Sequence, residues 1–290
     1  MASTLTNPAA IKQIMNKYDF YFKKDLGQNF LIDGNIADKI ASAPLFTGDE
    51  IAVEVGPGIG ALTELLCEYA KEVIAVEIDP FALNMLRDLF ATTDNISFVH
   101  SDILKVDLKE LLSEYLDEPE KISVVSNLPY YITSPVILKF LESGIKFKNI
   151  TVMLQKEVAK RLAAKVGTKD YSSFTIAVHY YAEVEYLFDV SRNVFMPAPN
   201  VDSAVIRMVP RKTPIIDIKD EETFFKTVRA GFAMRRKTLL NCLSTGFSLS
   251  KDDVKIIMAN AGIAENARAE SLTMEELGKL SDCVYDHFHK

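Results

Sequence analysis

Short apolar runs alternate with amphipathic stretches over the first two thirds of the chain. The runs at residues 51–55, 73–78, 96–100, 122–126 and 150–154 are short enough, and apolar enough, to read as buried strands. Helical spacing is predicted between and around them, at 35–42, 61–70, 81–90, 108–116, 134–143, 155–165 and 171–181, with a short helix at 9–18 near the start. Two further strands, 184–190 and 203–209, follow each other with no helix between them, which implies antiparallel pairing. A stiff, proline-fixed loop, Phe195-Met196-Pro197-Ala198-Pro199-Asn200, separates them. The fold class expected is therefore α/β, a doubly wound sheet that is parallel at first and ends in an antiparallel pair. Composition changes at Pro210 to Pro214, and only helices are predicted beyond it, at 221–232, 237–243, 251–261 and 273–287. This places the expected domains at 1–210 and 211–290.

The first strand runs straight into Gly56-Pro57-Gly58-Ile59-Gly60 and then a helix, the arrangement of a cofactor cradle. Glu77 ends the second strand, about 20 residues beyond the glycines, where an acid can accept hydrogen bonds from a ribose diol. Asp102 ends the third strand and can accept from an adenine amino group, with Ile103 packed on the ring; the competing role is a helix N-cap. A nicotinamide dinucleotide favours the spacing GxGxxG, whereas Gly60 comes one residue early. That short form, with Glu77 and Asp102, suits S-adenosyl-L-methionine better.

The fourth strand opens onto Ser126-Asn127-Leu128-Pro129-Tyr130-Tyr131. The Asn127 side-chain amide and the Leu128 carbonyl can accept hydrogen bonds from an amino group, and Tyr130 offers an aromatic face to the ring carrying it. The stretch reads as a site for the exocyclic amine of a nucleobase, although Tyr130 and Tyr131 have an ordinary core reading too.

Bulk composition narrows the classes. The chain has 290 residues and is 48% hydrophobic, enough for one sizeable core and a smaller second domain. It contains no apolar run of roughly 18 residues, so no membrane span is expected. Met1 to Lys12 lacks a charged region followed by an apolar one, so no secretory signal is expected. Three scattered cysteines and four histidines show no disulfide or metal-ligand pattern, which fits a cytoplasmic protein without a metal. A net charge of −7 opposes indiscriminate nucleic-acid binding, yet a local basic face is compatible with it. Residues 207–237 hold nine basic against four acidic side chains. Arg235, Arg236 and Lys237 cannot all share one helix face and suit a helix start gripping a phosphate backbone; a solvated face is the competing reading.

Eight collinear stretches closely resemble the KsgA (RsmA) family of small-subunit ribosomal RNA adenine N6,N6-dimethyltransferases. They are LGQNFLID (26–33), VEVGPGIGALTELL (53–66), VEIDP (76–80), SDIL (101–104), SNLPYYITSP (126–135), MLQKEVAKRL (153–162), VFMPAPNVDSAVIR (194–207) and MRRKTLLNCL (234–243). The resemblance implies a seven-stranded, Rossmann-like class I methyltransferase sheet with a small all-helical C-terminal domain. It implies S-adenosyl-L-methionine as cofactor, held by Asn29, Leu31, Gly56, Glu77, Asp102 and Asn127. Asn127, Leu128, Pro129 and Tyr130 would form the target-amine pocket, with Phe195 closing the other face of the base, although Phe195 taken by itself reads as an ordinary core residue. The implied substrate is two adjacent adenosines in the 3′-terminal hairpin loop of 16S rRNA within the 30S subunit, dimethylated by a monomeric protein with a role in subunit biogenesis. An enzyme acting on an adenine of 23S rRNA, and a factor that keeps only the fold and RNA binding, remain open beside it.

Overall fold

The computed structural model describes residues 4–19 and 28–289. Leu26 and Gly27, which open the first family-like stretch, fall outside them. Nine strands are assigned along the described chain: β1 (Phe30–Leu31), β2 (Ile51–Val55), β3 (Glu72–Glu77), β4 (Ile96–His100), β5 (Ile122–Asn127), β6 (Asn149–Gln155), β7 (Ala182–Val190), β8 (Phe195–Met196) and β9 (Ser203–Pro210). The helices are α1 (Pro8–Lys17), α2 (Gly34–Ser42), α3 (Ala61–Tyr69), α4 (Pro80–Leu89), α5 (Leu108–Leu111), α6 (Thr133–Glu142), α7 (Lys156–Leu162), α8 (Ser173–Tyr181), α9 (Glu221–Phe232), α10 (Leu239–Phe247), α11 (Lys251–Asn260) and α12 (Met274–Phe288).

The chain forms two compact units, one comprising Met1–Ala159 with Ala182–Pro210, the other Lys160–Tyr181 with Arg211–Lys290. In the first unit seven strands make one sheet in the order β4-β3-β2-β5-β6-β9-β7. Strands β2, β3, β4, β5 and β6 run parallel to one another, and β9 lies antiparallel between β6 and β7. All five residues of β2 are buried, as befits a central parallel strand covered on both faces. One apolar cluster joins Ala52 and Val73 to Ala37, Ile40, Leu62 and Leu65, from α2 and α3. Another joins Ile11 of α1 to Ile59 and to Ala82, Met85 and Leu86 of α4.

Helix starts follow from capping chemistry. Asp33 accepts the Asn35 and Ile36 backbone N–H groups at the head of α2, and Asp79 accepts that of Phe81 at the head of α4, where Pro80 needs no partner. Gly60 precedes α3 with φ +89°, and a Cβ there would sit 2.7 Å from the Phe90 ring, so glycine is required. The helix predicted at 108–116 is shorter, because Leu112 leaves helical geometry and a 3₁₀ turn, Ser113–Tyr115, follows.

The second unit departs from a single cut after Pro210. Residues 160–181 belong with the C-terminal helices because Tyr171, Ile176 and Tyr180 are buried in one cluster with Phe224, Val228 and Leu239. Tyr180 stands 5.3 Å from Phe224, centroid to centroid. Thr273 and Glu276 form a reciprocal capping box that starts α12. Among the described residues no helix is long and apolar enough to cross a membrane.

Candidate active site

The strand order reverses direction between β2 and β5, and crevices at such points, beyond the carboxyl ends of parallel strands, are where open α/β sheets bind ligands. A cavity of about 290 Å³ lies there. The six residues expected to hold a cofactor, Asn29, Leu31, Gly56, Glu77, Asp102 and Asn127, all line it, as do Leu128, Pro129 and Tyr130. Residues far apart in sequence thus meet because four strand ends abut.

Gly56 has φ +67° and donates its N–H to the Val76 carbonyl at 2.9 Å, fixing the cradle to the end of β3. Glu77 is 4% exposed. Its carboxylate accepts the Asp79 N–H at 2.8 Å and also backbone N–H groups of Gly58 and Ile78. Burial raises its pKa, and these bonds oppose the rise. Asp102 accepts the Leu104 N–H at 3.0 Å in a local turn. It does not cap the next helix; Asp107 does. Ile103 is buried at the cavity wall.

Asn127 ends β5, and its Nδ2 donates to the Asn29 carbonyl at 3.4 Å. A carbonyl partner admits only the amide nitrogen, so the side-chain oxygen remains an acceptor. Leu128 donates its N–H to the Met153 carbonyl at 3.1 Å, and among the described residues no donor reaches its own carbonyl. The Tyr130 hydroxyl lies 2.7 Å from Ser203 Oγ, which anchors the half-buried ring to the start of β9. Tyr131 is 55% exposed at the cavity mouth, so the core reading fails for it.

Phe195 departs from the role that the family resemblance implies and takes its ordinary core reading instead. It is 3% exposed, does not line the cavity, and packs in the cluster of Leu31, Ile40, Met153 and Val205. The reason is a two-stranded antiparallel sheet in which Phe195 pairs with Leu31 and Met196 with Phe30. Turned inward by this pairing, Phe195 supports the segment carrying Asn29 and Leu31. The basic run also differs in setting. Arg235, Arg236 and Lys237 are exposed in the turn before α10, which starts only at Leu239. The Arg235 guanidinium donates to the Lys169 carbonyl.

Sequence reasoning missed Glu54, a charged residue inside the apolar run of β2. It lines the cavity at 1% exposure and accepts from the Thr63 hydroxyl at 2.6 Å. Burial pushes its pKa from 4.5 up to about 8, and Glu77 adds to the rise. The folded protein therefore holds a proton that the unfolded chain loses in that window, and stability falls as pH climbs from 4.5 to 8. Glu54→Gln is expected to remove this component, worth roughly 3–5 kcal/mol above the window. Urea midpoints of the two proteins should diverge as pH rises from 4.5 to 8; parallel curves would contradict a buried neutral Glu54.

A family model, Ribosomal RNA adenine dimethylase, matches residues 19–285. The chain belongs to the ribosomal RNA adenine dimethylase family. It is 48% identical over 99% of its length to the Ribosomal RNA small subunit methyltransferase A of Geobacillus thermodenitrificans, which it covers to 99%. The protein of the same name from Bacillus mycoides is 46% identical, over 98% of each chain. Among solved structures, a dimethyladenosine transferase from Plasmodium falciparum superposes with a TM-score of 0.71 at 26% identity, covering 87% of this chain and 95% of its own. The 23S rRNA methyltransferase ErmE gives 0.64 at 27% identity, covering 89% and 100%. This dimethylase-family chain is thus an enzyme that methylates adenine in ribosomal RNA, built on the α/β methyltransferase fold.

Proposed function

We propose that this dimethylase transfers methyl groups from S-adenosyl-L-methionine to N6 of two adjacent adenosines in the 3′-terminal hairpin loop of 16S rRNA, acting as a cytoplasmic monomer on the 30S particle during subunit biogenesis. The observation that carries the reading is the pairing of two acceptors, Asn127 Oδ1 and the Leu128 carbonyl, at the rim of a glycine-cradled cavity.

The residues fit the cofactor. Positive-φ glycines leave room for a ligand to approach the backbone, Glu77 is a buried carboxylate at the ribose position, and Asp102 with Ile103 suits an adenine. When bound, the sulfonium supplies an electrophilic methyl group. Asn127 and Leu128 act on the nucleophile. The adenine N6 lone pair is delocalised into the ring; hydrogen bonds from its N–H groups to these two acceptors favour a pyramidal nitrogen and aim its lone pair. This is positioning with preorganised electrostatics. No general base is required, because the methylated amine is acidic enough to lose its proton to water. After one methylation N6 keeps a single hydrogen, so only one acceptor is used in the second round. The base leaves its stack at a cost of a few kcal/mol, offset by stacking on Tyr130.

The names of the two bacterial relatives favour small-subunit RNA over 23S rRNA as the substrate. Primer extension on both RNAs after expression tests this: a stop in 16S rRNA is expected, and a stop only in 23S rRNA would overturn it.

Arg235, Arg236 and Lys237 are proposed to contact rRNA phosphates from the helical unit. Reversing charge at Arg235 and Arg236 is expected to weaken 30S binding about tenfold or more at low salt and to flatten its salt dependence by roughly one to two in log–log slope. An unchanged slope would make the run a solvated turn.

A further inference from the structure

Glu54 is an odd residue to find in the middle of a central parallel strand. It is 1% exposed, yet it faces the cavity rather than the packed interior alone. The hydrogen bond from the Thr63 hydroxyl engages its Oε2. Every titratable group that bears on it is an acid or a thiol. Glu77, from β3, repels it, and the Cys67 thiol of α3 is pushed up to about 12 by burial first and by Glu54 and Glu64 next. Among the described residues no lysine or arginine forms an ion pair with it or enters its electrostatic surroundings. A buried carboxyl without a cation is costly in its charged form and stays protonated until a positive charge arrives.

We infer that Glu54 is the counter-ion for the positive charge of the cavity's ligand, so that cofactor binding expels the Glu54 proton to bulk water. This rests on the reading that the ligand is S-adenosyl-L-methionine, which brings a sulfonium and an ammonium. The empty site thus holds a neutral carboxyl, and the loaded site an ion pair in a region of low dielectric. A neutral ligand with the same adenosine portion gives no reason for the proton to leave. The site in this way discriminates by charge as well as by shape.

Calorimetric titration at neutral pH in two buffers of different ionisation enthalpy reads the proton directly. S-adenosyl-L-methionine is expected to release about one proton per molecule bound to the wild-type protein. Its affinity should rise by up to about tenfold per pH unit below the Glu54 pKa, by linkage. The neutral probe 5′-deoxy-5′-methylthioadenosine is expected to bind without proton release. Glu54→Gln, nearly isosteric, should bind S-adenosyl-L-methionine more weakly, with neither the proton nor the additional pH dependence. The wild-type comparison of the two ligands stands by itself if that variant fails to fold. S-adenosyl-L-methionine binding to wild type without proton release would overturn the inference and leave the cofactor reading intact, as would equal release by Glu54→Gln. No binding of S-adenosyl-L-methionine to the wild-type protein would overturn the cofactor reading, and this inference with it.

Discussion

Asn127→Ala is expected to lower the rate of methyl transfer by about 10²–10³-fold while leaving 30S binding largely unchanged. The size follows from what the amide does. Its nitrogen is committed to the Asn29 carbonyl, so its oxygen is held facing the cavity as a preorganised acceptor for the target amine. Alanine removes that acceptor and releases the tie between the end of β5 and the segment carrying β1. Because Asn127 is also one of the residues proposed to hold the cofactor, S-adenosyl-L-methionine affinity has to be measured alongside the rate. A single-turnover assay at saturating cofactor isolates the loss at the amine. Normal turnover in this variant would remove Asn127 from the mechanism.

Phe195→Ala is expected to cost about 3–5 kcal/mol of folding stability, the usual price of emptying a buried phenylalanine site. Phe195 lies among Leu31, Met153 and Val205 and pairs through its backbone with Leu31. The loss should appear in the urea midpoint and in weaker cofactor binding, since Asn29 and Leu31, proposed to hold the cofactor, ride on the pair. Phe195→Leu keeps most of the volume and is expected to recover much of the stability. A variant of full stability that had lost methyl transfer would reinstate the stacking role which the family resemblance implies and the packing does not support.

Much of the sheet was legible because its strands are short apolar runs bounded by breakers. The strand predicted at 51–55 coincides with β2, and 96–100 with β4. Glu77, the last residue of β3, and Asp102, two residues beyond β4, were legible as candidates for the cavity wall because ligand crevices lie beyond the carboxyl ends of parallel strands. What escaped had no periodic signature. Strands β1 and β8 are two residues each, too short for alternation to register, so the pairing that turns Phe195 inward had no local signal, although a core position was among its readings. Glu54 occupies one position in an apolar run, and nothing local marks it as facing a cavity. The affiliation of 160–181 depends on which helix face meets which, a tertiary matter that local spacing does not encode. Lys237 is a good helix former, yet the helix begins two residues later, at Leu239.

Mass spectrometry of rRNA fragments reads the proposed dimethylation of adjacent adenosines in small-subunit rRNA directly. Unmethylated 30S particles are incubated with the protein and S-adenosyl-L-methionine, and the 16S rRNA is digested and weighed. The expected result is a 3′-terminal hairpin fragment heavier by the mass of four methyl groups, two on each of two neighbouring adenosines. An unmodified hairpin fragment, with methyl groups elsewhere or nowhere, would contradict it.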